Sequence, residues 1–324
     1  MKTTYRMMGI ADFITLFNGL LGTAAILFII LAVEDLHQPY YQGGLKTHYI
    51  WLAMLCILAS VIGDIIDGPI ARKYSKRKLL GGSLDIMSDC LSFCVAPALL
   101  IFVMFGRWGE ASPFWTVSLA IASCWIIATG MLRLARFQYE QASDLNYFVG
   151  LSSPANALLL LSFAGLIWIQ PSTGLGPELT TWDCSICFGK GTAKPYFDFL
   201  MLPIMFISGG LMISDRPLSK LKGSIVMKLS MLQLVLILVA ITHTLMHTMD
   251  SKQGKYGTEV AGLELSFFLF VVSAILVLAY IIVGERVIES NDSVEPTSIS
   301  EEQYMKAKKI PSPSAYKAFV GFGM

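Results

Sequence analysis

Four aspartates fall between positions 64 and 89, in the segments Asp64-Ile65-Ile66-Asp67-Gly68-Pro69-Ile70-Ala71-Arg72 and Gly81-Gly82-Ser83-Leu84-Asp85-Ile86-Met87-Ser88-Asp89. Asp64 and Asp67 are three apart and Asp85 and Asp89 four apart, so on helices each pair shares one face. The surrounding sequence is apolar. An acidic side chain deep in a membrane helix costs roughly 2.5–3.5 kcal/mol even on lenient insertion scales, and like charges repel besides. A compensating cation is therefore expected. An all-oxygen donor set suits a divalent ion, and Mg²⁺ in particular is usually held by a few carboxylates together with the phosphates of a substrate. Arg72 adds a forked donor for phosphate, while Gly68 and Gly81 remove side chains where a ligand or a neighbouring helix must come close. Gly81, Asp85 and Asp89 form one stripe at a spacing of four.

The elements that must carry these residues are membrane helices. Of the 324 residues, 55% are hydrophobic and only 15% charged, against about a quarter charged in soluble domains. Mean hydropathy is +0.63. Uninterrupted apolar runs of about twenty residues, each long enough to cross a roughly 30 Å hydrocarbon layer, predict an all-α, polytopic transmembrane bundle. The first run, from about Ile10 to Val33, follows Lys2 and Arg6; it is too long for the apolar part of a signal peptide and is read as the first span. Seven more are expected at about 49–71, 82–105, 114–135, 148–169, 197–214, 225–247 and 262–283. With that assignment, 18 of the 24 Lys and Arg residues fall on the side that holds both termini, and six on the other. Positive charge favours the cytoplasmic side, so both termini and the aspartate cluster are expected to be cytoplasmic. Net charge is only +1, which offers no field for nucleic acid. A soluble enzyme and a nucleic-acid binder are excluded on these grounds.

Written as a pattern, the acidic segment is D-x2-D-G-x2-A-R-x8-G-x3-D-x3-D, with eight specified positions. At about one in twenty per position, chance would produce it in a chain of this length with a frequency on the order of 10⁻⁸. Residues 64–89 resemble, at every specified position, the signature of the CDP-alcohol phosphotransferase family of integral membrane enzymes. The resemblance implies a six-helix core and the displacement of CMP from a CDP-linked donor by an alcohol hydroxyl. It implies Asp64, Asp67 and Asp85 as principal metal ligands, and Asp89 as general base and a further ligand. Gly68, Ala71, Arg72 and Gly81 would contact the CDP-lipid, with Thr15 and Asn18 on the first helix. The cofactor expected is Mg²⁺ or Mn²⁺, as two ions. Held about 3.5–4 Å apart, such ions would neutralise a pyrophosphate, polarise the attacked phosphorus and stabilise departing CMP. A carboxylate is a weak base toward an alcohol, so Asp89 would act by position.

Further segments resemble the phosphatidylserine synthase branch, which includes archaetidylserine synthases: Ser92-Phe93-Cys94-Val95-Ala96-Pro97-Ala98, Leu132-Arg133-Leu134-Ala135-Arg136-Phe137, Phe148-Val149-Gly150-Leu151-Ser152-Ser153-Pro154-Ala155 and Leu211-Met212-Ile213-Ser214. The branch commonly has Asn where Gln138 stands and Pro where Ser152 stands. Arg133 and Arg136 suit a carboxylate acceptor such as L-serine, although glycerol phosphate or inositol phosphate would use them equally well. The donor that the resemblance implies is CDP-diacylglycerol or CDP-archaeol, which differ where a protein offers only apolar contact. A homodimer is what the resemblance implies. A divalent-cation transporter would also place carboxylates in the membrane, but it gives no reason for Gly68, Ala71, Arg72 and Gly81 at their offsets.

The expected organisation is a catalytic core over 1–223, two additional helices over 224–285 and a flexible cytoplasmic tail over 286–324, rich in Ser, Pro, Glu and Lys. Cys184 and Cys187, with His243 and His247, have zinc-ligand types but weak spacing, and a local disulfide or a structural role is the plainer expectation. Cys56, Cys90, Cys94 and Cys124 fall in spans and read as packing residues.

Overall fold

A computed structural model describes residues 9–33, 47–74, 78–106, 113–140, 147–169, 197–214, 217–219, 224–250 and 264–291. Within these, the backbone alone is described at 10–11, 68–74, 78–80, 138–140, 147–149, 197–198, 217–219, 224–227, 247–250, 264 and 283–291. The elements in chain order are α1 (Ile10–Ala32), α2 (Thr47–Tyr74), α3 (Lys78–Asp89), a π-helical turn (Cys90–Val95), α4 (Ala96–Phe105), α5 (Pro113–Glu140), β1 (Tyr147–Val149), α6 (Ser153–Trp168), a 3₁₀ turn (Phe197–Leu200), α7 (Met201–Ile213), β2 (Pro217–Ser219), α8 (Ser224–Asp250) and α9 (Glu264–Asn291). One compact unit extends over Met1–Glu285 and a second over Arg286–Met324.

Among the described residues, six stretches are long and apolar enough to cross a membrane: Asp12–Ala32, Thr47–Asp67, Gly81–Phe105, Pro113–Phe137, Lys228–Met246 and Leu265–Ile282. The third is continuous through α3, the π turn and α4. Its π turn closes with the Ala96 N–H on the Leu91 carbonyl, immediately before Pro97, whose ring would press on the carbonyl four residues back in a straight α-helix.

The fifth expected span is corrected at its start, since helix α6 begins only at Ser153 and has 16 residues, about 24 Å. The sixth is helical over its expected range, the 3₁₀ turn Phe197–Leu200 running on into the 13 residues of α7. Residues 148–152, expected to be helical, are not: 148–149 belong to a two-stranded antiparallel ribbon, with Tyr147 opposite Ser219, Phe148 opposite Leu218 and Val149 opposite Pro217, and 150–152 form a bend that leads into α6. Gly150 follows at φ +79°, a left-handed conformation that a side chain resists. The Leu151 N–H then bonds the Leu211 carbonyl at 3.0 Å, and Pro154 starts α6 where its missing N–H is harmless. The apolar run continues here, but a turn that ties the start of α6 to the end of α7 delays the helix.

Small residues let the helices approach. Helix α1 runs parallel to α3 and the π turn, with Asp12 against Gly81, Gly19 against Ser88 and Gly22 against Ser92, a near-constant register in which contacts recur on one helix face. Trp125 on α5 lies over Gly209 of α7 and donates its indole N–H to the Phe206 carbonyl at 3.2 Å. Phe270 of α9 fills the space over Gly165 of α6, and Ser162 and Ser273 share a hydrogen bond of 2.8 Å between the same helices. Around these contacts Trp51, Ile57, Leu58, Phe93, Met104 and Phe270 make a continuous core. Outward faces carry Phe13, Phe17, Leu20, Leu27 and Leu31 on α1 and Phe114, Val117 and Ile121 on α5, exposed as a lipid-facing surface requires.

Candidate metal centre

The acidic residues sit where two membrane helices meet their polar end. From Thr47 to Asp67, α2 rises about 30 Å, one hydrocarbon thickness, so Asp64 and Asp67 mark its last turn inside the span. Asp85 and Asp89 enter the third span from the same side, about 6 and 12 Å from its start at Gly81. Helix periodicity then turns each pair toward the other.

The result is a compact oxygen cluster. One ligand atom each from Asp64, Asp67 and Asp85 lies within 4.8 Å of the others. Oxygens on opposite sides of one Mg²⁺ stand about 4 Å apart, and around Ca²⁺ about 5 Å, so the three carboxylates fit a divalent ion. Asp89 is not one of the three. It lies one turn deeper, at the junction of α3 with the π turn.

Asp67 is the most enclosed of the trio, with 5% of its surface exposed, and α1 holds it. The Thr15 hydroxyl donates to Asp67 Oδ2 at 3.1 Å and the Asn18 amide donates to the same oxygen at 3.3 Å. The main chain of that α1 turn is itself anchored. Ser88 donates to the Thr15 carbonyl at 2.8 Å, while Ser60 and Ser92 donate to the Asn18 carbonyl at 3.2 Å and 3.0 Å. Ser60 belongs to α2, Ser88 to α3 and Ser92 to the π turn, so one turn of α1 is bonded to both acidic segments.

The remaining expected residues fall as follows. Gly81 meets a neighbouring helix: a Cβ there would stand 2.7 Å from Asp12 Oδ1, and Asp12 Oδ2 accepts the Gly9 N–H at 2.7 Å. Gly68, Ala71 and Arg72 continue α2, and their side chains lie outside the described residues. Arg133 is buried, at 2% exposure, with its guanidinium carbon 5.7 Å from the Phe137 ring centre. It follows Gly130 by three residues, and Gly130 packs on Cys94 of the π turn, so Arg133 lies on the face of α5 turned toward that turn. Arg136 is half-buried. Cys184 and Cys187, and the side chain of His247, lie outside the described residues; His243 Nδ1 is 2.7 Å from the Ser266 hydroxyl.

Residues that pattern reading missed are Asp12, Gly63, Ser60, Ser88 and Ser92. Serines and glycines in apolar helices are a general sign of close helix contact, but nothing in the spacing says which carbonyl each serine will reach.

The family described as CDP-alcohol phosphatidyltransferase matches residues 8–189. The chain is 30% identical over 167 residues to CDP-diacylglycerol–serine O-phosphatidyltransferase of Saccharomyces cerevisiae, covering 49% of this chain and 54% of the relative. It is 32% identical over 163 residues to the protein of that name from Methanocaldococcus jannaschii, covering 50% and 63%. To archaetidylserine synthase of Methanothermobacter thermautotrophicus it is 34% identical over 113 residues, covering 34% and 44%. The matches thus span about half the length of these relatives.

Proposed function

The chain belongs to the CDP-alcohol phosphatidyltransferase family, and from that premise we propose that it transfers the lipid-phosphate group of a CDP-lipid to L-serine. The observation that carries this reading is the Asp64, Asp67 and Asp85 trio, within 4.8 Å, inside a segment with the family's signature. The names of the relatives favour serine as acceptor and either diacylglycerol or archaeol as the lipid. The catalytic core is 1–223, the cytoplasmic face carries the site, and a homodimer, the assembly implied by the family, is part of the same proposal.

The serine hydroxyl oxygen attacks the phosphorus that bears the lipid. A new oxygen–phosphorus bond forms as the bond to the bridging oxygen breaks, and CMP leaves with that oxygen and its electron pair. Asp89 accepts the hydroxyl proton as the bond forms. Asp64, Asp67 and Asp85 would hold Mg²⁺ or Mn²⁺, as two ions, which would supply charge neutralisation of the pyrophosphate and polarisation of the phosphorus. Gly68, Ala71 and Arg72 take the nucleotide and its phosphates. Arg133 and Arg136 take the serine carboxylate. The lipid chains lie along apolar helix faces.

The test is CMP release by purified protein in detergent with Mg²⁺ or Mn²⁺ and CDP-diacylglycerol or CDP-archaeol, with serine, glycerol phosphate and inositol phosphate in parallel, beside Asp89→Asn. Serine-dependent release lost in the variant is expected. Release with another acceptor overturns the choice of serine and keeps the chemistry; no release with any acceptor and either donor overturns the chemistry.

A further inference from the structure

We propose that the Thr15–Asn18 turn of α1 is a positioning element of the cation site, acting on Asp67 and on the spacing of α2 and α3, rather than a contact for the CDP-lipid. The inference rests on the metal-site reading above.

Both side chains donate a hydrogen bond to one oxygen of one ligand. Thr15 Oγ1 and Asn18 Nδ2 donate to Asp67 Oδ2, which has two lone pairs to offer. That oxygen is thereby occupied. Among the described residues no donor reaches Asp67 Oδ1, and the two bonds on Oδ2 orient the carboxylate, so Asp67 presents its other oxygen to a cation. Metal-bound carboxylates are commonly held by such outer partners, whose loss weakens binding.

The way Asn18 is held points to the same role. Its side-chain carbonyl, Oδ1, is buried and accepts no hydrogen bond. It is pressed against Gly63 of α2, where any Cβ would collide with it. A buried acceptor left without a donor lowers stability, so a residue selected for stability alone is poorly served here by asparagine. The amide is oriented by what its N–H group does for Asp67.

The backbone of the same turn sets the distance between the acidic helices. Its Thr15 and Asn18 carbonyls accept from Ser60, Ser88 and Ser92, one on α2 and two on the segment that carries Asp85 and Asp89. Gly19 and Gly22, against Ser88 and Ser92, allow the close approach these bonds need. Displacing the turn therefore moves Asp67 relative to Asp85. Both side chains are enclosed between helices, at 6% and 3% exposure, which leaves little surface for a lipid head group.

The experiment is Mn²⁺ binding to the purified full chain in detergent, followed by the electron paramagnetic resonance signal of free Mn²⁺. Wild type is compared with Thr15→Val, Thr15→Ser, Asn18→Ala and Asp67→Asn, and KM for the CDP-lipid is measured alongside. Thr15→Val keeps shape and removes only the hydroxyl. It should weaken Mn²⁺ binding about 10- to 100-fold, Asn18→Ala by as much, with KM for the CDP-lipid at saturating Mn²⁺ close to wild type. Thr15→Ser should restore the affinity. Should Asn18→Ala fail to fold, the Thr15 pair decides alone. Unchanged Mn²⁺ affinity in Thr15→Val, or a rise in lipid KM alone, overturns the inference and leaves the metal site standing. Mn²⁺ binding indifferent to Asp67→Asn overturns the metal-site reading itself.

Discussion

The α-carbon of Gly63 faces the side-chain carbonyl of Asn18 so closely that a methyl group at position 63 would occupy the place of that oxygen. Gly63 precedes the ligand Asp64 by one residue, so the contact fixes the height at which α1 meets the acidic turn of α2. Gly63→Ala forces the Asn18 amide off Asp67 or the helices apart. The gain in helix propensity from Ala is outweighed, and a net loss of about 1–3 kcal/mol in stability is expected. Thermal unfolding of the detergent-purified protein measures it. Mn²⁺ affinity should fall with it, and a stable variant with wild-type affinity would show that the interface is plastic.

Asp89 stands apart from the oxygen trio, and the two positions should separate in kinetics. Asp89→Asn removes the proton acceptor and is expected to lower kcat by about 10²- to 10⁴-fold with little change in Mn²⁺ affinity or in KM for the CDP-lipid. Asp64→Asn removes a ligand, so Mn²⁺ binding and kcat should fall together. Steady-state kinetics beside metal titration distinguishes the two. Loss of metal binding in Asp89→Asn would move that residue into the ligand set.

Removal of the ion makes a third test. Chelation with EDTA should abolish CMP release, and Mg²⁺ or Mn²⁺ should restore it, because the three carboxylates offer only hard oxygen donors within 4.8 Å. Zn²⁺, which favours nitrogen and sulfur, is expected to restore little at equal free concentration. Activity retained after exhaustive chelation would contradict a metal-dependent transfer.

How much of this was legible in the chain depends on the range of each interaction. Asp64, Asp67, Asp85 and Asp89 could be paired from spacing because three- and four-residue steps on a helix are geometric facts. That both pairs lie toward one side of the membrane let the four converge, though spacing does not say which oxygens meet. Thr15 and Asn18 stood out only through the family resemblance, as contacts for the CDP-lipid, and their partner Asp67 lies about fifty positions away, beyond any periodicity. The break at 148–152 was hidden for a different reason. The composition there is apolar like its neighbours, and what delays the start of α6 is Gly150 at positive φ against three carbonyls of residues more than sixty positions later. Gly81 shows an ambiguity of kind: spacing said that something must approach, and only the fold says that it is Asp12.

Arg133 is buried beside Phe137, and a buried guanidinium in a membrane helix is costly enough to imply a use. As an acceptor ligand it makes a charge-assisted contact, so Arg133→Met should raise KM for serine by roughly one to two orders of magnitude while KM for the CDP-lipid stays near wild type. Arg133→Lys should rescue poorly, since an ammonium reproduces neither the fork nor the stacking on the ring. Serine KM unchanged in both variants would assign Arg133 to anchoring.

Gly150 provides the last prediction, on the fold that carries the site. At φ +79° a non-glycine residue is disfavoured by about 1 kcal/mol, and a Cβ would also stand 2.6 Å from the Met212 carbonyl and 2.9 Å from that of Ser214. Neither carbonyl can yield easily, because the neighbouring Leu211 carbonyl is bonded to the Leu151 N–H at 3.0 Å and the β1–β2 pairing follows directly. Gly150→Ala should therefore lower stability by about 2 kcal/mol or more, combining backbone strain with overpacking. Two other glycines serve as controls: a Cβ at Gly82 or Gly210 meets nothing within 4 Å. Both lie inside helices, so Gly82→Ala and Gly210→Ala should be neutral or stabilising by up to about 1 kcal/mol. Thermal unfolding of the three variants under one detergent condition makes the comparison. If Gly150→Ala unfolds with the controls, the turn between β1 and α6 relaxes freely and does not tie α6 to α7.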